Sequence, residues 1–212
     1  MFVPITPEVS SAFGTPILKR AVATAATLNV GLERAILARA QQGAANRISN
    51  VGGWQSLPDL LDWPEPEIKQ LVQEVDHAIQ QISALPALLG HQPSPPRVRY
   101  HSYGWANINR PGDYNMLHVH PGNHWSVVYY VATGRLNPDT PMNGRIELRD
   151  PSPAACFARM PGFNTGQPML IRPHPGTMLV FPAWIEHNVH PFYGDGHRIS
   201  IAINVAIENG SS

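Results

Sequence analysis

The sequence predicts a mainly β fold, a jelly roll or double-stranded β-helix, with N-terminal helices packed on one face. Three observations predict it. From about Pro95 the chain breaks into short apolar stretches separated by Pro, Gly and Asn turns. Proline is abundant at 22 residues, and most of it follows Pro64, which disfavours a helical bundle. Before residue 90 the apolar residues recur at helical spacing instead. With 212 residues the chain can bury one sizeable core and is short for two. The expected organisation is one domain over 1–212, with an extended segment and helices in 1–94 and the β core in 95–207.

Residues 1–20, rich in Pro and apolar side chains, read as an extended segment. Leu28, Val30, Leu32, Ile36 and Leu37 then give a helix that stops at Gln41-Gln42-Gly43. Ser49 to Ser56, containing Gly52, Gly53 and Trp54, reads as a polar loop. A second helix starts near Pro66, a residue suited to a first turn. It presents Ile68, Leu71, Val72, Val75, Ile79 and Ile82 on one face, with charged and amide side chains opposite. Eight strands are expected at 98–108, 116–120, 125–132, 145–149, 169–172, 177–181, 188–191 and 199–206. The stretches 133–144 and 152–167 are long loops, suited to lids or substrate walls, with Arg135, Asn137, Asp139, Arg159 and Asn164 as polar side chains.

Formal charge is +0, from 15 basic and 15 acidic residues, so neither nucleic acid nor an anionic membrane is an expected partner. Cys156 is the single cysteine, which excludes an intrachain disulfide framework and a cysteine metal cluster. There is no basic stretch followed by an apolar one at the N-terminus, and no apolar run near the ~18–20 residues of a membrane span. The expected compartment is the cytoplasm. A homodimer through a sheet edge or the helical layer is an option that no motif decides.

Histidine is the informative residue. Eight of the ten lie between His101 and His197. His118 and His120 are two apart in an expected strand, so their imidazoles share a face while Val119 turns to the other. Two imidazoles on one face can grip one metal ion, and His187, after the tight Pro182-Ala183-Trp184 segment, is the candidate third ligand. The expected centre is therefore His118, His120 and His187, at the mouth of a small barrel. His124 is a nearby candidate for a fourth position. Asp113, Glu147 and Asp150 are carboxylates that could lie close, whereas Glu186, next to His187, would point away. Arg198 and Ser200 share one face of the last, otherwise apolar, strand. A planar guanidinium and a hydroxyl there suit the distal carboxylate of a dicarboxylic cosubstrate.

These residues resemble the 2-oxoglutarate- and Fe(II)-dependent oxygenase superfamily, in particular a bacterial group with an HxH…H motif. The matching text is Ser49 to Ser56, Trp105 to Tyr130 (WANINRPGDYNMLHVHPGNHWSVVYY), Asp150-Pro151 and Pro175 to Asn204 (PGTMLVFPAWIEHNVHPFYGDGHRISIAIN). The resemblance implies a double-stranded β-helix, Fe(II), 2-oxoglutarate as cosubstrate, dioxygen and a small-molecule or amino-acid-like substrate that is hydroxylated. It also implies that Arg198 and Ser200 take the C5 carboxylate, with Asn107 as a further polar contact. The departure is His120, which stands where the wider superfamily has Asp. Three neutral imidazoles are one negative charge short of the two-histidine, one-carboxylate set and also admit Zn(II), Ni(II) or Cu(II).

The segment Gly176-x5-Pro182-x-Trp184-x2-His187 is also similar to a cupin motif, which keeps two alternatives open. One is a metal-dependent cupin-type enzyme that needs no 2-oxoglutarate, and the other is a non-catalytic metal- or ligand-binding barrel. Arg198-x-Ser200 favours the oxygenase. Trp105, Trp125, Tyr130, Phe181 and Trp184 are the candidate pocket walls.

Overall fold

A computed structural model describes residues 2–4, 10–12, 14–43, 46, 48–85, 97–152, 157 and 166–208. Strands β1 (Phe2–Pro4) and β2 (Ser10–Ala12) pair with each other, and β3 (Leu18–Ala21) leads into helix α1 (Ala25–Gln41). Two short strands follow, β4 (Asn50–Val51) and β5 (Trp54–Gln55), then helix α2 (Pro66–Ser83). The β region comprises β6 (Tyr100–Asn109), β7 (Tyr114–His118), β8 (Trp125–Leu136), β9 (Ile146–Leu148), β10 (Met169–Ile171), β11 (Thr177–Pro182), β12 (His187–Val189) and β13 (Gly194–Ile207). These are the eight expected strands, with shifted ends. The largest shift is β13, which begins at Gly194 rather than at 199, and β8 runs on to Leu136 and takes in the start of the expected loop at 133–144.

Apart from the β1-β2 pair, the strands form two antiparallel sheets. The large one has the order β3-β11-β8-β13-β6-β5 and the small one β10-β9-β12-β7-β4. Strands β6 to β13 pass back and forth between the layers, the jelly-roll arrangement. Each sheet keeps edge strands, so the layers face each other without closing into a barrel.

Both helices lie on the outer face of the large sheet. Leu28, Leu32, Ala35 and Ile36 of α1 and Ile68, Leu71, Val75, Ala78, Ile79 and Ile82 of α2 are buried. All of these but Ala35 form one core with Val127, Tyr129, Met178, Val180, Ile199, Ile201, Ile203 and Val205 of the sheet. Each such side chain contributes roughly 1.5–3 kcal/mol of burial free energy. Pro66 sits in the first turn of α2, as expected. Val30 and Val72 do not join the core; both lie off the buried stripe and are exposed. The helices cross closely at Gly31, where an added Cβ would stand 2.1 Å from Glu67 Oε1.

The inner face of the large sheet packs on the small one through a second core of Tyr130, Ile146, Leu148, Ile171, Leu179, Phe181 and Ile185. The stretch expected as a loop at Ser49–Ser56 joins the layers instead: β4 pairs with β7 in the small sheet and β5 with β6 in the large one. Gly52 and Gly53, at φ +69° and +61°, make the tight turn between them. An added Cβ at Gly53 would stand 2.6 Å from the Ile108 carbonyl oxygen. Most of the expected loop at 152–167, with Arg159 and Asn164, lies outside the described residues, as does Cys156.

Candidate metal centre and the cavity beside it

His118 is the last residue of β7 and pairs directly across the small sheet with His187, the first residue of β12. A bulge makes this geometry. Val189 pairs with Asn115 and His187 with His118, so two steps on β12 match three on β7. Asn115 and His118, three apart, therefore both line the inner cavity. His120 lies just past the strand, tied by its backbone N–H to the Ala183 carbonyl (2.9 Å). It still turns to the same side as His118, while Val119 faces out and is 37% exposed.

The three histidines meet. One ring nitrogen from each lies within 4.8 Å of the others. The His120 and His187 Nε2 atoms are 3.2 Å apart. Two nitrogens each ~2.1 Å from one ion at right angles stand ~3 Å apart, so the spacing fits a shared metal. His118 Nδ1 donates to the Met116 carbonyl (2.6 Å) and His187 Nδ1 to the Ile185 carbonyl (2.8 Å). Both rings therefore present an unprotonated Nε2 toward the centre, the orientation a metal requires. Burial lowers all three imidazoles below their ordinary value. His187 falls to about 3, through burial and then the nearby His118, and His120 to about 4 for the same two reasons. His118 also falls, against the opposing effect of its bond to Met116. All three are neutral at physiological pH.

Among the described residues no carboxylate joins them. Asp113 accepts from the Arg110 N–H, Asp150 from the Ser152 and Gly166 N–H groups, Glu147 bonds His190, and Glu186 faces Arg149. His124 does not join either, because its Nδ1 accepts from the Ile207 N–H at 2.9 Å.

The cavity runs from the histidines along the inner face of the large sheet to Arg198 and Ser200, past Trp105, Asn107, Ser126 and Val128. Register sets this row. Ser200 is paired with Asn107 on one side and Tyr130 on the other, and Arg198 with Asn109. Arg198 is 1% exposed. Its Nε donates to the Gly144 carbonyl (3.2 Å), and its Nη1 to Asn109 Oδ1 (3.2 Å) and Ser200 Oγ (3.1 Å). Burial pulls the guanidinium down from its ordinary value and Tyr130 opposes this. No described carboxylate neutralises it. The Tyr130 hydroxyl and Asn107 Oδ1 are buried without a hydrogen-bond partner. A buried cation beside a hydroxyl free to donate is costly alone and fits an anionic ligand, while Asn107 Oδ1 is free only to accept.

Of the expected pocket aromatics, Trp105 lines the cavity, its ring 5.8 Å from that of His120. Phe181 packs edge-on against His187 at 4.9 Å, and Tyr130 lies under Arg198. Trp125 belongs to the helix-side core and Trp184 is 55% exposed, so neither is a cavity wall. Sequence reasoning passed over Asn109 and Asn204, and treated Tyr130 only as a wall. The period of two from Ser200 and Arg198, combined with strand pairing, would have pointed to all three.

Residues 103–204 match the family model described as "Putative 2OG-Fe(II) oxygenase", a span that contains every residue of the expected site. No curated protein matches the sequence. Several solved structures share the fold. A prolyl-4-hydroxylase from Pseudomonas putida superposes with TM-score 0.61 at 17% identity, covering 91% of this chain and 93% of that one. A Trichoplax adhaerens prolyl hydroxylase, solved with a hypoxia inducible factor peptide fragment, gives 0.63 at 15%, covering 91% and 83%. A non-heme α-ketoglutarate-dependent epimerase from nogalamycin biosynthesis gives 0.61 at 9%, covering 89% and 76%.

Proposed function

We propose, from residues 103–204 belonging to the 2OG-Fe(II) oxygenase family, that His118, His120 and His187 hold the iron and that Arg198 and Ser200 hold the C5 carboxylate of 2-oxoglutarate. The observation that carries this is the single cavity with the three imidazoles at one end and a buried, carboxylate-free arginine at the other. Bound iron and 2-oxoglutarate supply the oxidising chemistry with dioxygen, the cosubstrate leaving as succinate and CO₂.

The chain's own residues bind and orient. The backbone carbonyls of Met116 and Ile185 fix the tautomers of two ligands. Arg198 supplies a planar fork for the carboxylate and Ser200 a hydroxyl beside it. Tyr130, kept protonated by burial, has a free hydroxyl to donate to the same group, and Asn107 is a further polar contact from the facing strand. The inner apolar core limits water around the cavity. We read the reaction as hydroxylation of a small molecule. One structural neighbour is an epimerase, so the fold is shared with a protein of another reaction outcome.

Anaerobic titration of the Fe(II)-loaded protein with 2-oxoglutarate tests this reading. A visible metal-to-ligand charge-transfer band is expected, and Arg198→Ala should weaken 2-oxoglutarate binding by about 100-fold or more, since a charge pair loses one partner. No band, together with Arg198→Ala binding as the parent does, would sink it in favour of a cupin-type or non-catalytic metal protein. Hydroxylation itself requires a product 16 mass units heavier, formed together with succinate.

A further inference from the structure

We propose that Asn204 sets the tautomer of His120, and that a half-turn of its carboxamide switches His120 between protonating the nitrogen that faces His187 and offering that nitrogen to a metal. This rests on the reading above in which His120 is a ligand.

Asn204 lies on β13, on the same face as Arg198 and Ser200, and is 2% exposed. Its Nδ2 is 3.0 Å from the Tyr103 hydroxyl and 3.2 Å from His120 Nδ1. Its Oδ1 is buried with no partner. Both amide hydrogens are thus directed to one side, one to Tyr103 and one to His120. An imidazole nitrogen that accepts a hydrogen bond carries no proton, so the proton of neutral His120 is on Nε2. That atom is 3.2 Å from His187 Nε2, which is free to accept because His187 Nδ1 donates to Ile185. The donors run in one direction, from Asn204 through His120 and His187 to the backbone.

A metal on His120 Nε2 takes the place of that proton. The ring must release a proton to water from Nε2 and take one up at Nδ1, with no change of charge. The new Nδ1–H then points at an amide donor. Turning the carboxamide by half a turn brings Oδ1 to this position, where it accepts from both His120 and the Tyr103 hydroxyl. The two ends of a carboxamide have nearly the same shape, so little else moves. One end lacks a partner in either orientation, so that cost is common to both and the choice falls to His120 and Tyr103.

The other two rings have no such freedom. Their Nδ1 partners are backbone carbonyls, which only accept, so each is held in the metal-ready tautomer. Tyr103 is itself positioned by Asn123 Nδ2 at 3.3 Å, which leaves its own proton available for the turned amide. Asn204 is a positioning residue: it touches a ligand rather than the metal.

The test uses the full chain and Zn(II). Long-range ¹H–¹⁵N spectra of the imidazoles should show His120 protonated at Nε2 without metal and at Nδ1 with it. Chelator competition should show Asn204→Leu binding Zn(II) about 10–100-fold more weakly. Asn204→Asp, whose carboxylate only accepts, should hold Nδ1–H even without metal and bind Zn(II) at least as tightly as the parent. A purely structural role predicts the reverse for Asp, a buried charge. His120 protonated at Nδ1 in both states, or Asp weakening binding as much as Leu while His120→Ala still disables it, overturns the inference alone. His120→Ala binding Zn(II) like the parent removes the ligand assignment and the inference with it.

Discussion

Along β13, Ile199, Ile201, Ile203 and Val205 face the helices, while Arg198, Ser200, Ala202 and Asn204 face the small sheet. The neighbouring tyrosines of β8 show the same division. Tyr129 points to the helices and its hydroxyl donates to Asn29 Oδ1 at 2.6 Å; Asn29 in turn donates to the Val131 carbonyl at 2.9 Å. Tyr130 points to the inner face, where Arg198 lies over its ring, and its hydroxyl has no partner. Both faces are buried, so burial alone does not separate stability from function. Polar satisfaction does. On β8 and β13 the helix-facing side chains are apolar or paired, whereas the opposite face of the same sheet holds unpartnered groups at Asn107, Tyr130 and Asn204 beside an arginine with no described carboxylate. Such groups are retained against their cost where a ligand completes them.

The largest effect should come from putting a cavity-side property on the helix side. Ile201→Asp places an unpaired charge in the helix core and should cost at least ~4 kcal/mol, seen as loss of the cooperative urea transition at neutral pH. A variant that folds normally would show that the helix face is not the stabilising one.

Acid should act mainly through the cavity side. The folded-state values of His118, His120 and His187 lie below the ordinary 6.5, so the unfolded chain binds protons that the folded chain does not. Their contribution is fully present above pH 6.5 and is lost as pH falls toward about 4 for His120 and about 3 for His187. The slope is roughly 1 kcal/mol per pH unit per ring. The urea midpoint of the metal-free protein should therefore drop between pH 7 and pH 5, and by less in His187→Gln.

The tyrosine pair gives the finest test. Tyr129→Phe leaves Asn29 Oδ1 short of a donor and should cost about 1–3 kcal/mol in urea melts. Tyr130→Phe removes a hydroxyl that has no partner, so stability should change by less than about 0.5 kcal/mol while 2-oxoglutarate binding weakens. Equal losses in the two melts would erase the distinction between the faces.

Much of this was legible in the sequence because it depends on the period of two. Alternation placed Arg198 with Ser200 and His118 with His120, and turn residues marked eight of the eleven strands in the two sheets, β6 to β13. What was not legible depends on pairing between distant segments. The bulge that brings Asn115 to the same side as His118 follows from register against β12, which no local pattern encodes. Strands β4 and β5 are two residues each, too short for a periodicity, and take their hydrogen bonds from β7 and β6. Asn109 and Tyr130 join the cavity row only through cross-strand partners on β13. In the helices, Val30 and Val72 are apolar yet exposed, because composition alone does not fix the buried stripe.

The direct pairing of His118 with His187 has a mechanical consequence. These two histidines belong to the small sheet, while His120, 67 residues before His187 in the chain, is tethered through Asn204 to the large one. An ion held by all three would act as a reversible rivet between layers, closing a long loop as a crosslink does and adding RT ln(1 + [M]/Kd) to the folded state. Metal supply would then govern how long each molecule survives proteolysis as well as whether it can turn over, so that molecules starved of metal would be the first degraded.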